Sequence, residues 1–348
     1  MMTSFSELTE KKELTIVAVE SSCDETACAV IRDGAVLSSV ISTQIAIHKE
    51  YGGVVPEIAS RNHVINIEPV VQEALDKAGI AVSDADAFAV TYGAGLLGAL
   101  LVGVSYVKGL AFALDKPLLK VNHIRGHIAA NYLSDPTLRP PYIGLIVSGG
   151  HTAVVQVNSY TSFTYLGGTM DDAVGEAFDK VARVLSLPYP GGPEIEKLAR
   201  EGKNSVYIPV PKTGPYDFSF SGIKTSVINY VHSAEQRGEP IVKADVAASF
   251  QSAVTEMLVK AAVTAAKEYG LKDIALAGGV GANGALRAKL SESCAANGLQ
   301  AHFPTRDMCT DNAAMIGMEA YLQLRYGDGS CLADDALDAR ASIPLGGK

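Results

Sequence analysis

The chain has 348 residues, of which 48% are hydrophobic and 19% are charged, and its formal net charge is −9. Disordered chains combine low hydrophobicity with high charge, so this composition excludes a mostly disordered protein. The acidic balance excludes a generally basic nucleic-acid coat, although it leaves room for a local basic patch. At roughly 150 residues per domain, the length predicts about two domains.

One uncharged segment, residues 87–107, is long enough to cross a bilayer. Glycines interrupt it, so we predict a buried strand over 87–91 and a buried helix over 96–114 instead of a membrane span. The polar residues 1–14 carry no apolar signal core. The five cysteines form no C-x-x-C pair, which argues against a disulfide framework or a cysteine zinc site. We therefore expect a cytoplasmic protein.

Two stretches of the chain begin in the same way. Residues 14–40 contain a β-rich run, a polar turn at 21–26, a second strand, a hairpin turn and a third strand. Residues 142–166 repeat this order around a small polar turn at 148–152. Helical sequence follows both stretches. We therefore predict one duplicated α/β domain type, with the two polar turns facing each other across a ligand cleft.

The rest of the pattern also fits α/β packing. Apolar residues at helical spacing predict helices over 63–78 and 242–270. A short buried strand over 273–277 precedes a glycine turn and a helix over 283–297. Residues 203–221 are rich in Pro, Gly and Tyr and are expected to form a structured surface loop.

A pair of histidines forms the first candidate site. His123 and His127 stand at i and i+4, so on a helix both imidazoles lie on one face, within reach of one metal ion. Asp311 is the best candidate for a third ligand, and Cys309 is a weaker one. Two alternatives stay open: the histidines are buried helix residues, and the aspartate is a helix N-cap. Ile124 stands where the glutamate of H-E-x-x-H belongs, so zincin protease chemistry is not supported.

Two glycine-containing turns are candidates for anion binding. In V-S-G-G-H-T, residues 147–152, glycines let backbone N–H groups approach a phosphate, and Ser148 and Thr152 add hydroxyl donors. A hairpin turn without a ligand is the alternative. Residues 277–287 combine a strand, a glycine turn and a helix N-terminus. Neither segment has the Rossmann or P-loop pattern, so those two classes of nucleotide site are not expected.

Acidic residues are dense in M-D-D-A-V-G-E-A-F-D-K, residues 170–180. Asp172, Glu176 and either Asp179 or Lys180 fall near one helix face. They form a solvated face or hold ribose hydroxyls or a metal-bound ligand. The P-G-G-P segment at 190–193 suits a tight turn that contacts a planar or sugar group.

Taken together, these motifs resemble the bacterial TsaD family. The resemblance covers about residues 14–325 and rests on nine motifs in chain order: E-S-S-C-D-E-T (20–26), Y-G-G-V-V-P-E-I-A-S-R (51–61), N-H-I-R-G-H (122–127), V-S-G-G-H-T (147–152), D-D-A-V-G-E-A-F-D-K (171–180), P-G-G-P (190–193), F-S-F-S-G-I-K-T (218–225), A-G-G-V-G-A-N (277–283) and C-T-D-N-A-A-M-I-G (309–317).

The resemblance implies an α/β fold with two duplicated actin/Hsp70/hexokinase-like (ribonuclease H-like) domains flanking a ligand cleft. The N-terminal domain would span 14–140 and the C-terminal domain 141–325. A tail over 326–348 would pack back on the N-terminal domain. The implied reaction moves the threonylcarbamoyl group of threonylcarbamoyl-AMP to N6 of adenosine 37 in tRNAs that read ANN codons.

The resemblance also implies roles for individual residues. His123, His127 and Asp311 would hold one divalent metal ion, Fe²⁺ in preference to Zn²⁺. Asp24 and Glu25 would be catalytic. The adenylate, or ATP or ADP in the same cleft, would be bound by a larger set: Val147, Ser148, Gly149, Gly150, His151, Asp179, Gly192, Glu196 and Asn283.

The implied partners are tRNA, a same-fold TsaB-like dimerisation partner, a small TsaE-like P-loop ATPase and a TsaC-like synthase that supplies the adenylate, with no membrane. The net charge of −9 predicts weak tRNA binding by this chain alone. The chain departs from the usual family pattern at Ala94 in place of proline, at Arg125 between the histidines and at Gly281 in place of serine. Two alternative functions are a metal-dependent peptidase and a non-catalytic ATP-binding regulator of the same fold.

Overall fold

Within residues 5–345, which the computed structural model describes, the chain forms two five-stranded mixed sheets. The strands of the first sheet are β1 Thr15–Glu20, β2 Glu25–Arg32, β3 Ala35–Thr43, β4 Ala87–Gly93 and β5 Leu118–Asn122. Those of the second are β6 Tyr142–Val147, β7 Thr152–Val157, β8 Phe163–Gly168, β9 Asp273–Ala277 and β10 Gln300–His302.

The helices surround these sheets. In chain order they are α1 Phe5–Glu10, α2 Ile45–Tyr51, α3 Pro56–Ala78, α4 Leu97–Ala113, α5 His123–Ser134, α6 Val174–Val184, α7 Gly191–Ala199, α8 Phe220–Arg237, α9 Lys243–Glu268, α10 Gly284–Ala296, α11 Arg306–Cys309 and α12 Ala313–Tyr326.

The central strand of the first sheet is buried along its whole length. Strand β1 pairs antiparallel with β2, where Glu20 lies opposite Ala27, and parallel with β4. A strand covered on both faces reads as a continuous apolar run, and β1 does so except at its end. Glu20 is a carboxylate with no exposed surface, so it requires polar partners inside the protein.

The second sheet repeats the topology of the first. The orders are β3-β2-β1-β4-β5 and, from the other end, β8-β7-β6-β9-β10. In each sheet three antiparallel strands come first, and the fourth strand then joins the first strand in parallel. The predicted α/β class and the duplication are therefore confirmed. The β1–β2 turn and the β6–β7 turn occupy equivalent places in the two halves.

Two helices cross between the sheets. Helix α5 follows the first sheet in the chain, but its Ile124 and Ile128 pack with Tyr142 and Ile146 of the second sheet. Helix α12 follows the second sheet, but its Ile316 packs in the core of the first. Each helix therefore leaves the sheet that precedes it and covers the other one.

Glycines allow these crossing helices to approach closely. A Cβ at Gly126 of α5 would lie 2.8 Å from Cδ1 of Ile316 in α12. On the side of α12 that faces the first sheet, a Cβ at Gly317 would lie 2.4 Å from Cγ1 of Ile31 in β2. Only glycine leaves room for such contacts. The short distance between the helices brings their N-terminal ends together.

Most predicted elements are present, with shifted ends. Helix α3 begins at Pro56 and not at His63, because proline is accommodated in the first turn of a helix. Residues 87–107 form β4 and most of α4, and no helix of the described residues is long and apolar enough to cross a membrane. The P-G-G-P segment is not an isolated tight turn, since Pro190 is the N-cap of α7.

The chain after α12 runs back over the first sheet. Leu332 bridges Leu119, and the amide of Ala333 donates to the carbonyl of Leu118 at 2.8 Å. Farther along, the amide of Arg340 donates to the carbonyl of Tyr92 at 2.7 Å. This segment therefore covers β5 and then the end of β4. The last three residues of the predicted tail lie outside the described residues.

The close packing of α12 on the first sheet can be tested by adding one methyl group. Gly317→Ala places a Cβ against Ile31, and overpacking costs about 1–3 kcal/mol, partly offset by about 1 kcal/mol of helix propensity. We expect the free energy of unfolding, measured by urea denaturation, to fall by about 1–2 kcal/mol.

Gly109→Ala in α4 is the matched control. A Cβ there meets no heavy atom within 4 Å, so this variant should be neutral or stabilised by up to about 1 kcal/mol. Equal effects of the two substitutions would contradict the close packing of α12 against β2.

Candidate metal centre and ligand cleft

Three side chains converge where the two crossing helices begin. Helix α5 starts at His123 directly after β5, and the Asn122 side chain caps it by accepting from the amide of Ile124 at 2.9 Å. The rings of His123 and His127 lie 4.6 Å apart, centroid to centroid. Oδ1 of Asp311 lies 3.5 Å from Nε2 of His123 and 3.2 Å from Nε2 of His127. One nitrogen or oxygen from each residue lies within 4.8 Å of the others.

The structure decides between the alternatives for these residues. Asn312, not Asp311, is the N-cap of α12, because its side chain accepts from the amide of Met315 at 2.9 Å. The N-cap interpretation of Asp311 is therefore wrong. His127 has no exposed surface. Within the described residues its Nδ1 has no hydrogen-bond partner, and its Nε2 lies 3.2 Å from Asp311 without the geometry of a hydrogen bond. Buried polar atoms nearly always have partners, so these orphan nitrogens fit a missing ligand.

The donor set fits a divalent metal ion. Two imidazoles and one carboxylate are a donor set that proteins use to hold divalent transition-metal ions. Cys309 is not part of this set; its Sγ lies 3.1 Å from a guanidinium nitrogen of Arg287. We conclude that His123, His127 and Asp311 are the residues able to hold such an ion.

Charges in the cluster perturb one another strongly. Burial lowers the pKa of His123, but the carboxylates of Asp311 and Glu20 outweigh it and raise this pKa to about 9. Burial raises the pKa of Asp311, but the two histidines outweigh burial and lower it to about 2. Burial lowers the pKa of His127, which keeps its ring neutral. The fully buried Glu20 and the partly buried Asp311 thus face the histidines, and a positive charge, either on protonated His123 or on a bound metal ion, would balance them.

Sequence reasoning missed Glu20 as part of this site. Oε2 of Glu20 accepts from the hydroxyl of Thr91 at 2.6 Å and lies 3.0 Å from Nδ1 of His123. Its Oε1 accepts from the amide of Ser22. This contact turns the other ring nitrogen of His123 toward Asp311. The clue in the sequence was a lone carboxylate closing an apolar strand just before the polar turn.

The two polar turns line one cavity beside the metal cluster. The cavity has a volume of about 610 Å³, and its lining includes Ser22 and Cys23 of the β1–β2 turn together with His123 and Asp311. From the β6–β7 turn it is lined by Ser148, Gly149, Gly150 and His151. The turns therefore face each other across a cleft, as the duplicated sequence pattern predicted.

The β6–β7 turn has the local geometry of a ligand loop. The amide of Ser148 donates to the carbonyl of His151 at 2.8 Å, and the hydroxyl of Ser148 accepts from the amide of His151 at 3.1 Å. A Cβ on Gly149 or Gly150 would meet open space. Burial and the two metal-site histidines lower the pKa of His151 to about 4, so its ring is neutral.

The predicted catalytic acids follow Cys23 but are not among the residues that line the cavity. Asp24 is buried, and Oε1 of Glu25 accepts from the hydroxyl of Thr43 at 3.1 Å. Burial and the nearby charges of Asp311 and Asp24 raise the pKa of Glu25 to about 10. Glu25 is therefore protonated at neutral pH.

Only part of the predicted adenylate set lines this cavity. Asp179 does, and its Oδ1 accepts from the amide of Gly191 at 2.7 Å. Glu196 accepts from the amide of Gly284 at 3.2 Å, which ties α7 to α10. Asn283 caps α10 and donates to Gln251 at 2.9 Å.

Gly192 and Val147 are two further members of the predicted adenylate set. Gly192 lies in the first turn of α7 with open space at its Cβ position. A Cβ at Gly278 would lie 2.5 Å from the carbonyl oxygen of Val147, so the turn after β9 abuts the end of β6. Val147, Gly192, Glu196 and Asn283 are thus not among the residues that line the cavity.

The acidic segment 170–180 is mostly an ion-pair network. Asp172 pairs with Lys180 and with Lys224, both at 2.7 Å, and Lys180 also pairs with Glu176 at 2.7 Å. Glu176 and Lys180 still line the cavity. Asp172 therefore serves in ion pairs, whereas Glu176 and Lys180 form ion pairs and are also placed to contact a ligand in the cavity.

Two more cavity residues escaped the sequence analysis. A guanidinium nitrogen of Arg183 in α6 donates to the carbonyl of Gly52 at 2.7 Å, so it reaches from the second half of the protein to the first. Tyr189 lines the same cavity. No motif marked either residue, because the residues around them in the cavity are distant in sequence.

Fold and site together define a class: a duplicated α/β protein whose two β-turns face a shared cleft next to a His-His-Asp cluster. The family model for TsaD, tRNA N6-adenosine threonylcarbamoyltransferase, matches residues 35–318. A protein of that name from Moorella thermoacetica is 56% identical over 338 residues, which cover 96% of this chain and 98% of the relative. One from Clostridioides difficile is 54% identical over 319 residues, covering 90% and 94%. The chain belongs to the TsaD family of transferases.

A solved structure supports the fold. Full-length HypF in its phosphate- and nucleotide-bound form superposes with a TM-score of 0.63 at 17% identity. The match covers 94% of this chain, which spans 48% of the length of HypF. At this identity the likeness concerns the fold alone, and the predicted actin-like fold is confirmed. The relatives do not favour the peptidase or the regulator alternative.

The contact between Glu20 and His123 can be tested by metal binding. Glu20→Gln keeps the shape of the side chain but removes the charge that orients and polarises the ring, so affinity for a divalent ion should fall about 10–100-fold. The measurement is Zn²⁺ titration of the purified protein in competition with a chromophoric chelator.

Glu319→Gln is the matched control. Glu319 is equally buried, but its carboxylate accepts from Gln323 and contacts no residue of the metal cluster. Its variant should bind Zn²⁺ like the wild type. Unchanged affinity in Glu20→Gln would show that Glu20 does not orient His123.

Proposed function

We propose that this protein transfers the threonylcarbamoyl group from threonylcarbamoyl-AMP to N6 of adenosine 37 in tRNAs that read ANN codons. The observation that carries the proposal is that the His-His-Asp cluster and the glycine turn open into one cavity. An acyl transfer needs both: a place for the leaving nucleotide and a centre that orients the carbonyl. Membership of the TsaD family supports the same reaction.

His123, His127 and Asp311 would hold one divalent ion, with Fe²⁺ favoured over Zn²⁺. When bound, such an ion supplies Lewis-acid polarisation of the carbonyl that is attacked. The chain's own residues position the donor. The backbone of residues 147–151 is open to a phosphate at Gly149 and Gly150, and it lies across the cavity from Ser22.

The nucleoside part of the donor would extend toward the second half of the protein. Asp179 offers a carboxylate to ribose hydroxyls at the cavity wall. Gly192, Glu196 and Asn283 would surround the adenine beyond it. The Asn283 side chain already caps α10. It would therefore contribute to adenine binding through its position and through the hydrogen-bonding capacity that the cap leaves free.

Asp24 and Glu25 are proposed as catalytic residues on the side of the first half. Their turn lines the cavity through Ser22 and Cys23. A protonated Glu25 can donate a hydrogen bond to developing negative charge on the leaving phosphate, and Asp24 can accept a proton from the attacking amine.

We further propose the domain ranges 14–140 and 141–325, each of which contains one complete sheet, with 326–348 as a tail on the first. The protein would work in the cytoplasm with tRNA, a TsaB-like partner, a TsaE-like ATPase and a TsaC-like synthase. An exposed apolar group on α3 and α4 supports a same-fold partner: Val64 is 64% and Leu101 39% exposed. Exposed apolar groups of this kind mark protein interfaces.

The reaction can be tested directly. Purified protein with its partners, the adenylate-forming enzyme, threonine, bicarbonate, ATP and unmodified tRNA should yield threonylcarbamoyladenosine in a nucleoside digest. Asp311→Asn should lower the rate at least about tenfold, because it removes a charged metal ligand. Asp307→Asn, in the neighbouring helix α11 and exposed, should not. Absence of product with the wild-type protein would refute the function.

The partner surface can be tested by adding charge. The double variant Val64→Asp, Leu101→Asp places two carboxylates on the apolar group of α3 and α4, and association with a TsaB-like partner should weaken at least about tenfold. Phe112→Asp, at the far end of α4 and 81% exposed, is the control and should associate normally. Analytical ultracentrifugation of the mixtures distinguishes these results. Unchanged association of the double variant would place the interface elsewhere.

A further inference from the structure

The cavity contains one aromatic side chain, that of Tyr189, to which the proposed reaction assigns no role. Tyr189 is the only non-histidine aromatic residue that lines the cavity within the described residues. Among the described residues, the Tyr189 ring packs against no other aromatic ring and its hydroxyl forms no hydrogen bond. Exposed aromatic area inside a cavity is costly to leave in water, so a ligand that covers the ring is expected.

The chain places Tyr189 firmly between the two halves. It directly precedes Pro190, the N-cap of α7, and the next amide, that of Gly191, is bonded to Asp179. Tyr189 lines the cavity together with Ser22 of the first half and Asp179 of the second. Burial and the charges of Asp24 and Asp179 raise the pKa of its hydroxyl. The phenol is therefore neutral and its ring is available for stacking.

The geometry distinguishes the two purines of the reaction. The donor adenine is proposed to lie at Gly192, Glu196 and Asn283, which are not part of the cavity lining. The acceptor amine must instead reach the carbonyl held beside the metal cluster, so the acceptor base has to enter the cavity that contains His123 and Asp311. Tyr189 lies in that cavity.

We propose that Tyr189 is the stacking platform for the acceptor adenine once this base has left its own stack. The proposal rests on the proposed function and names the residue that receives the RNA base. Proteins bind unstacked RNA bases on aromatic faces, and loss of one such face weakens binding about 5- to 150-fold. Tyr189 is thus a specificity-determining residue that holds a flat base and does no proton transfer.

A binding cycle tests this inference without relying on turnover. The protein in its complete complex is titrated with an anticodon stem-loop that carries either adenine or an abasic site at the acceptor position. Tyr189→Leu should weaken binding of the adenine stem-loop about 5- to 150-fold and leave binding of the abasic stem-loop unchanged. Tyr189→Phe keeps the ring and should bind both RNAs like the wild type.

A tyrosine on the protein surface provides the control for this experiment. Tyr207→Leu, on a surface loop and 86% exposed, should bind both RNAs normally. Equal losses on the two RNAs would show a merely structural role, and a Tyr189→Phe defect as large as that of Tyr189→Leu would show that the hydroxyl is the contact. Either result overturns the stacking role.

Steady-state kinetics adds a second discrimination. In the complete reaction, Tyr189→Leu should raise KM for tRNA and leave KM for the adenylate donor unchanged. A raised donor KM with unchanged tRNA KM would assign the ring to the donor and overturn the proposal. A wild-type enzyme that makes no threonylcarbamoyladenosine would refute the proposed function, whereas the binding cycle alone decides the role of Tyr189.

Discussion

The crossing of α5 and α12 is the contact on which the site depends. Each helix leaves its own sheet and covers the other. Gly126 lets α5 approach Ile316 of α12, and Gly317 lets α12 approach Ile31 of β2. Their N-terminal ends then meet, which brings His123 and His127 to Asp311 across a long stretch of chain. A larger residue at Gly126 would push the two helices apart, and one at Gly317 would push α12 away from the first sheet, because tightly packed cores do not absorb extra volume.

This packing has an electrostatic consequence. Glu20 and Asp311 are carboxylates close to the histidines, and Glu20 is fully buried. Apolar surroundings offer little solvation, so the two charges are tolerable only with a cation between them. The histidines supply neutral lone pairs or a proton, and a divalent ion supplies the same balance more completely. Stability and metal binding therefore rest on the same few atoms.

The duplicated sheets set the other half of the site. Because the two β-turns occupy equivalent places in related halves, the halves present them toward each other and leave a cleft between. One turn is rich in acids and the other in glycine. The acidic side suits the chemistry of proton transfer, and the glycine side suits a phosphate that approaches the backbone. A single cleft can thereby hold a nucleotide and an acyl group next to a metal ion.

The sequence by itself determined the strands, the duplication, the paired histidines and the two turns, because these depend on local periodicity and spacing. It also contains the motifs that resemble those of the TsaD family. It misplaced the start of α3 and took P-G-G-P for a turn, since helix ends depend on capping and packing. Glu20, Arg183 and Tyr189 emerged only from the tertiary structure. Thr91 and His123, which contact Glu20, and Gly52, which contacts Arg183, lie far away in sequence, and Tyr189 lines a cavity built from both halves, so only the folded chain brings these residues together.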